Sequence, residues 1–247
     1  MQSQATFQSP LPLRLELSNG ENRTIHTRLK NTDTLLSSVL PSRPLSVEID
    51  PDATVLRRMR REELPPVLNH YVTDGHRSVI QALGISADSS HPLQEVIRRL
   101  EAQDGQKPVS QRTTIIPLVQ DLLLPPEGSV LVLSAPASRA ALQPALKEHC
   151  ASRVQLRDGG VTIEGKSYDG QGIAALVNCH RRDRPGSVVT WVYAVSPQAA
   201  TTVARLLFFY GWHSVVVFQD GKAIARSEWD APQTRMEVSI DEGVPNR

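Results

Sequence analysis

The sequence predicts an α/β protein, with a small (partial) N-terminal β-sandwich followed by an open α/β sheet domain. Three observations carry this. Residues 10–50 hold short runs in which apolar and polar residues alternate, the period of half-buried strands. From residue 67 onward, continuous apolar runs such as 129–133 alternate with stretches of helical period, as expected of strands buried on both faces. Between the two patterns lies a segment from Asp50-Pro51-Asp52 to Pro65-Pro66, where proline stops both a ladder and a helix. The expected division is 1–50 for the sandwich portion, 51–66 for a linker, 67–229 for the α/β domain and 230–247 for a loose polar tail.

The N-terminal strands are expected at 12–17, 23–29, 34–39 and 45–49. Asn19-Gly20 joins the first two, a strong hairpin signal. In the α/β portion a strand is expected at 78–83. A helix follows at 91–103, with Ser90 as cap, Pro92 in its first turn and Leu93, Val96, Ile97 and Leu100 on one face. Further strands are expected at 113–118 and 129–133. Ser138 then caps a helix running to Cys150, with Ala141, Leu142, Ala145 and Leu146 inward. A hairpin is expected at 154–163, turned by Asp158-Gly159-Gly160. The remaining elements are buried strands at 173–178, 188–195 and 213–218, with a helix from Pro197 to about residue 208.

Composition bounds the function. A chain of 247 residues can bury one or two cores, and 40% hydrophobic with 21% charged residues is a globular balance. Aromatics are only 4%, so the cores rest on Leu, Val, Ile and Ala. A net charge of +1 gives no footprint for nucleic acid or for an anionic membrane. No apolar run is long enough to span a bilayer, and residues 1–7 lack the pattern of an export signal. The sequence alone therefore leads to the expectation of a soluble chain, cytoplasmic by default. Two cysteines make no disulfide framework.

Few residues invite a chemical reading. Ser134 and Ser138 flank the junction of a buried strand and a helix N-terminus, where open α/β sheets bind ligands and helix dipoles favour anions. Arg181 and Arg182, with Arg184, lie in a loop after another buried strand and could meet an anion. These make the candidate ligand-binding set Ser134, Ser138, Arg181 and Arg182. The bland readings are a helix cap for Ser138 and a charged surface loop for the arginines. Gly-x-Gly-x-x-Gly, the P-loop pattern and Gly-x-Ser-x-Gly are all missing. His149-Cys150 and Cys179-His180 suggest zinc, but adjacent side chains diverge on a helix or strand, so two ordinary buried cysteines are expected. Arg57, Arg58, Arg60 and Arg61 are followed by Glu62 and Glu63, which reads as a self-compensating connector.

The run Arg43-Pro44, Asp50-Pro51-Asp52, Arg57-Arg58, Glu63 and Pro65-Pro66 resembles the end of the β-sandwich domain in bacterial aminopeptidases of the aminopeptidase N type. These are zinc metallopeptidases of the gluzincin family. Tyr210, Gly211, Ser214, Phe218, Gly221 and Trp229 are similar to a signature of an α/β extension at the C-terminus of some members. The resemblance covers most of the chain but carries no chemistry. The family's reaction requires His-Glu-x-x-His on a helix, which this sequence lacks. No catalytic or metal-binding residue is carried over, and no cofactor is expected in this chain.

The resemblance thus implies a non-catalytic, structural or interacting C-terminal portion of an aminopeptidase-like metallopeptidase. Its partner would be a catalytic aminopeptidase-like chain, or a second copy meeting it through the N-terminal strands. The alternative is an independent α/β enzyme or small-ligand binder acting at the carboxyl ends of the strands.

Overall fold

Leucines at 11, 13, 15 and 17 alternate along strand β1 (Ser9–Leu17), and Asn19-Gly20 turns the chain back into β2 (Asn22–Leu29). Gly20 has φ +84°, where glycine alone carries no steric cost, and Asn19 Oδ1 accepts from the Glu21 N–H at 3.1 Å. β3 (Pro44–Ile49) lies antiparallel along the other edge of β1, pairing Leu13 with Ile49 and Leu15 with Val47. The computed structural model describes residues 9–29, 34–52, 54–55, 59–83, 91–105, 112–118, 122–230 and 236–240. These fall in two compact units, Met1–Met59 with Gln233–Arg247, and Arg60–Pro232.

The first unit departs from expectation at its fourth strand. Residues 34–39 are irregular and exposed, Leu35 at 97%. Leu35, Leu36 and Val39 fit no two-residue period, so they cannot share one face of a strand. The fourth strand is β14 (Met236–Ser239), within the stretch expected to be a loose tail. It pairs antiparallel with β3, Val238 opposite Val47, giving the order β14-β3-β1-β2. Among the described residues this unit is one sheet.

The expected linker is divided between the units. Its start folds back on Asp50, whose carboxylate accepts from the Thr54 N–H at 2.7 Å, the Thr54 hydroxyl at 2.9 Å and the Val55 N–H at 3.1 Å. Its end belongs to the second unit, where Arg61 donates to the carbonyls of His70 and Thr73, each at 2.8 Å. Arg57 and Arg58 of the basic cluster, and the expected cap Ser90, lie outside the described residues.

The second unit is mixed α/β. In chain order it holds α1 (Leu68–Val72), β4 (Arg77–Ala82), α2 (Gln94–Asp104), β5 (Thr114–Pro117), β6 (Ser129–Ser134) and α3 (Arg139–His149). A small antiparallel sheet follows, made of β7 (Val154–Arg157), β8 (Gly160–Ile163) and β9 (Lys166–Asp169). Then come β10 (Ile173–His180), β11 (Val188–Ala194), α4 (Pro197–Leu206), β12 (Val215–Gln219) and β13 (Lys222–Ser227). The main sheet has the order β13-β12-β10-β11-β6-β4-β5. β5, β4, β6 and β11 are mutually parallel, and β10, β12 and β13 continue the sheet by antiparallel pairing.

The central strands are apolar throughout because both sheet faces are covered. Successive side chains point to opposite faces. Val130, Val132, Val177 and Trp191 pack with Leu142 and Leu146 of α3 and with the small sheet. Leu131, Leu133, Leu176 and Val192 pack with α1, α2 and α4 on the other side. Burial of each such Leu or Val stabilises the fold by roughly 1.5–3 kcal/mol.

Candidate functional site

Three of the four sequence-predicted ligand residues are engaged in holding the fold. Ser134 closes β6, is fully buried and donates its hydroxyl to the Val192 carbonyl at 2.8 Å. Ser138 stands at the N-cap position of α3 but makes no cap bond. Its hydroxyl faces the carbonyls of Ala82 at 2.5 Å and Ala135 at 2.9 Å, tying the strand–helix junction to the end of β4. Arg181 is buried. It donates to the carbonyls of Gly128 and Pro125, each at 2.8 Å, and grips the Asp183 carboxylate with two nitrogens at 3.1 and 2.5 Å. That fork holds the Asp183 carboxyl below the usual carboxylate range. Gly128 has φ +74°, and a Cβ there would collide with the His76 carbonyl.

These residues do not converge. Ser134 and Ser138 stand at the carboxyl ends of the parallel strands. Arg181 follows β10, which runs the other way, and it bonds to Gly128 just before β6 begins. A six-residue strand separates the two ends by roughly 17–20 Å. Only Arg182 is exposed, and it belongs to a different site.

That site forms around the cysteines. Cys150 follows α3, Cys179 lies in β10, and they are joined in a disulfide with Cα atoms 5.3 Å apart. Both cysteines are buried, as expected, but they are not ordinary core residues, since they are bonded to each other. The bond brings both His-Cys pairs to one open cleft of about 280 Å³, whose walls include His149, His180, Arg153, Arg182 and Trp229. Sequence reasoning took adjacent side chains to be too divergent to meet. Here one residue of each pair makes the covalent link, and its neighbour is left on the cleft wall.

Local geometry fixes each wall. After α3 the chain turns through Ala151 and Ser152, at φ +51° and +60°, a left-handed pair without glycine. Such residues persist where surrounding contacts hold them, at a cost of about 1–3 kcal/mol each. The turn delivers Arg153, whose guanidinium carbon lies 5.2 Å from the centroid of the Trp229 ring, a cation–π placement. Trp229 is anchored by its N–H to the Ser214 hydroxyl oxygen at 2.9 Å, while its buried indole N–H has no partner among the described residues.

The histidines are neutral donors and acceptors. His149 Nδ1 accepts from the Arg182 N–H at 3.3 Å. His180 Nε2 lies 2.9 Å from the Leu64 carbonyl, which can only accept. The proton is therefore on Nε2, and the buried Nδ1 is left without a partner. Burial lowers the pKa of both rings. Beside them His70 is pushed down to about 4, by burial first and then by Arg61 and His180.

Among the described residues, no three His, Cys, Asp or Glu side chains have the spacing of a metal site. No helix there is long and apolar enough to cross a membrane. No protein-family model matches the chain, and no curated protein matches it.

Proposed function

We propose that this chain is a non-catalytic, structural and interacting portion of an aminopeptidase N-like metallopeptidase. The observation that supports this reading is the apolar face of the first unit's sheet. Leu13, Val47 and Ile49 share that face and are only half-buried, with Leu45 41% and Val238 59% exposed beside them, whereas Leu15 on the same face is buried. A contiguous apolar face of this kind is costly in water and marks a surface for a partner. The polar residues at the strand ends add support, since Ser134, Ser138 and Arg181 are occupied with backbone carbonyls. The partner is a catalytic aminopeptidase-like chain or a second copy.

Light scattering on the purified chain, alone and mixed with a catalytic aminopeptidase N-type chain, tests this. Association is expected in one of the two samples and should be lost with Leu45→Lys, an exposed position that folding tolerates. A monomer in both samples would contradict the reading.

A second reading, a binder of small ligands, is favoured by the cleft at the Cys150–Cys179 disulfide. Its position differs from the carboxyl ends of the strands, where the sequence directs attention.

A further inference from the structure

We propose that the cleft beside the Cys150–Cys179 disulfide binds a small organic carboxylate. The inference rests on the ligand-binding reading of that cleft and names its ligand class. Two exposed arginines, Arg153 and Arg182, stand on the walls, and neither has a carboxylate partner among the described residues. Among the described residues Asp230 is the one acid in the cleft lining, so the lining itself carries a net positive fixed charge. Guanidinium groups bind planar oxyanions through two parallel N–H bonds, which suits a carboxylate. The stacking of Arg153 on Trp229 limits the directions its fork can take.

Polar donors and apolar surface occur together in this cleft. The indole N–H of Trp229 is buried and has no partner among the described residues, so its resonance reports any change in the cleft wall that its ring forms. Pro66, the disulfide and the Trp229 ring form apolar wall for the body of the ligand. A volume of about 280 Å³ is at the small end for ligand sites, so the occupant has the size of a single acylated amino acid. The disulfide ties two of the walls together covalently, because it links the end of α3 to β10.

The test is a titration of the full chain with N-acetyl-leucine, followed through backbone amide and indole N–H resonances by two-dimensional NMR. Neutral N-acetyl-leucine amide and inorganic phosphate are titrated in parallel. Saturable shifts of the Trp229 indole and of Arg153 and Arg182 are expected with N-acetyl-leucine. Arg182→Gln and Arg153→Gln should each weaken binding at least about tenfold, the loss of a charged hydrogen bond. Arg184→Gln, an exposed arginine of the same loop, should leave it unchanged. Equal binding of the neutral amide, or preference for phosphate, would overturn the carboxylate assignment and leave the cleft a ligand site. No saturable shift with any of the three probes, or binding indifferent to both arginine substitutions, would overturn the proposal and the ligand reading together.

Discussion

Cys150 and Cys179, 29 residues apart, are bonded with their Cα atoms 5.3 Å apart, so the end of α3 is covalently held to the interior strand β10. Closing a loop of that length removes entropy from the unfolded chain, worth about 3–4 kcal/mol in the chain-entropy model. Reduction should therefore lower the urea midpoint substantially, with the native protein showing no reactive thiol before treatment. Two thiols titrating in unreduced native protein would contradict the bond.

His70 gives the stability a pH dependence. Its imidazole is held at about 4 in the folded state against an ordinary 6.5, burial being the main cause. As pH falls from 6.5 towards 4, the unfolded chain takes up this proton first, so stability is full above 6.5 and declines across that window. His149 and His180 are lowered too and act in the same sense. The urea midpoint should be lower at pH 5 than at pH 7, and His70→Gln should shrink the difference. A protein more stable at pH 5, or a difference untouched by His70→Gln, would count against this.

How much of this was legible in the sequence follows from what each element needs. β6, β10, β11 and β12 are continuous apolar runs, and only a strand covered on both faces tolerates such a run. The sequence gives little sign of β9 and β13, because Lys166–Asp169 is short and polar and Lys222–Ser227 is an edge strand with only small and half-exposed apolar residues. Their hairpins carried a signal all the same. Glu164-Gly165 and Asp220-Gly221 both hold two consecutive positive φ angles, the tight turn that Asp-Gly favours. β14 was illegible because its partner β3 lies nearly the whole chain away, and no local pattern specifies so distant a pairing.

At the candidate site the sequence reading sets the cysteines and histidines aside as ordinary buried residues, because their arrangement is not written in their spacing. A spacing of 29 residues says nothing about which sheet position receives the end of a helix. Arg181 looked like an anion site because its charge is visible in sequence, whereas the three carbonyl and carboxylate partners that occupy it are not.

A buried ion pair on the opposite side of the second unit supports a sharper stability prediction. The Arg77 guanidinium meets the Asp104 carboxylate with both side chains almost fully buried. Asp104 also accepts from the Thr113 N–H at 2.8 Å and hydroxyl at 2.5 Å. Asp104→Ala leaves a buried cation unpaired and should cost about 3–5 kcal/mol. Glu95→Ala, which breaks solvent-accessible pairs with Arg98 and Arg99, should cost no more than about 1 kcal/mol. Denaturant unfolding of both variants checks the contrast, and equal losses would refute it.

The proposed function predicts that this chain performs no aminopeptidase chemistry of its own. It is tested most directly by giving the purified full chain zinc and a panel of chromogenic amino-acid amides. No turnover above the zinc blank is expected, since catalytic zinc requires three protein ligands and an open position. Turnover that copurifies with the chain and disappears on adding a chelator would contradict the claim.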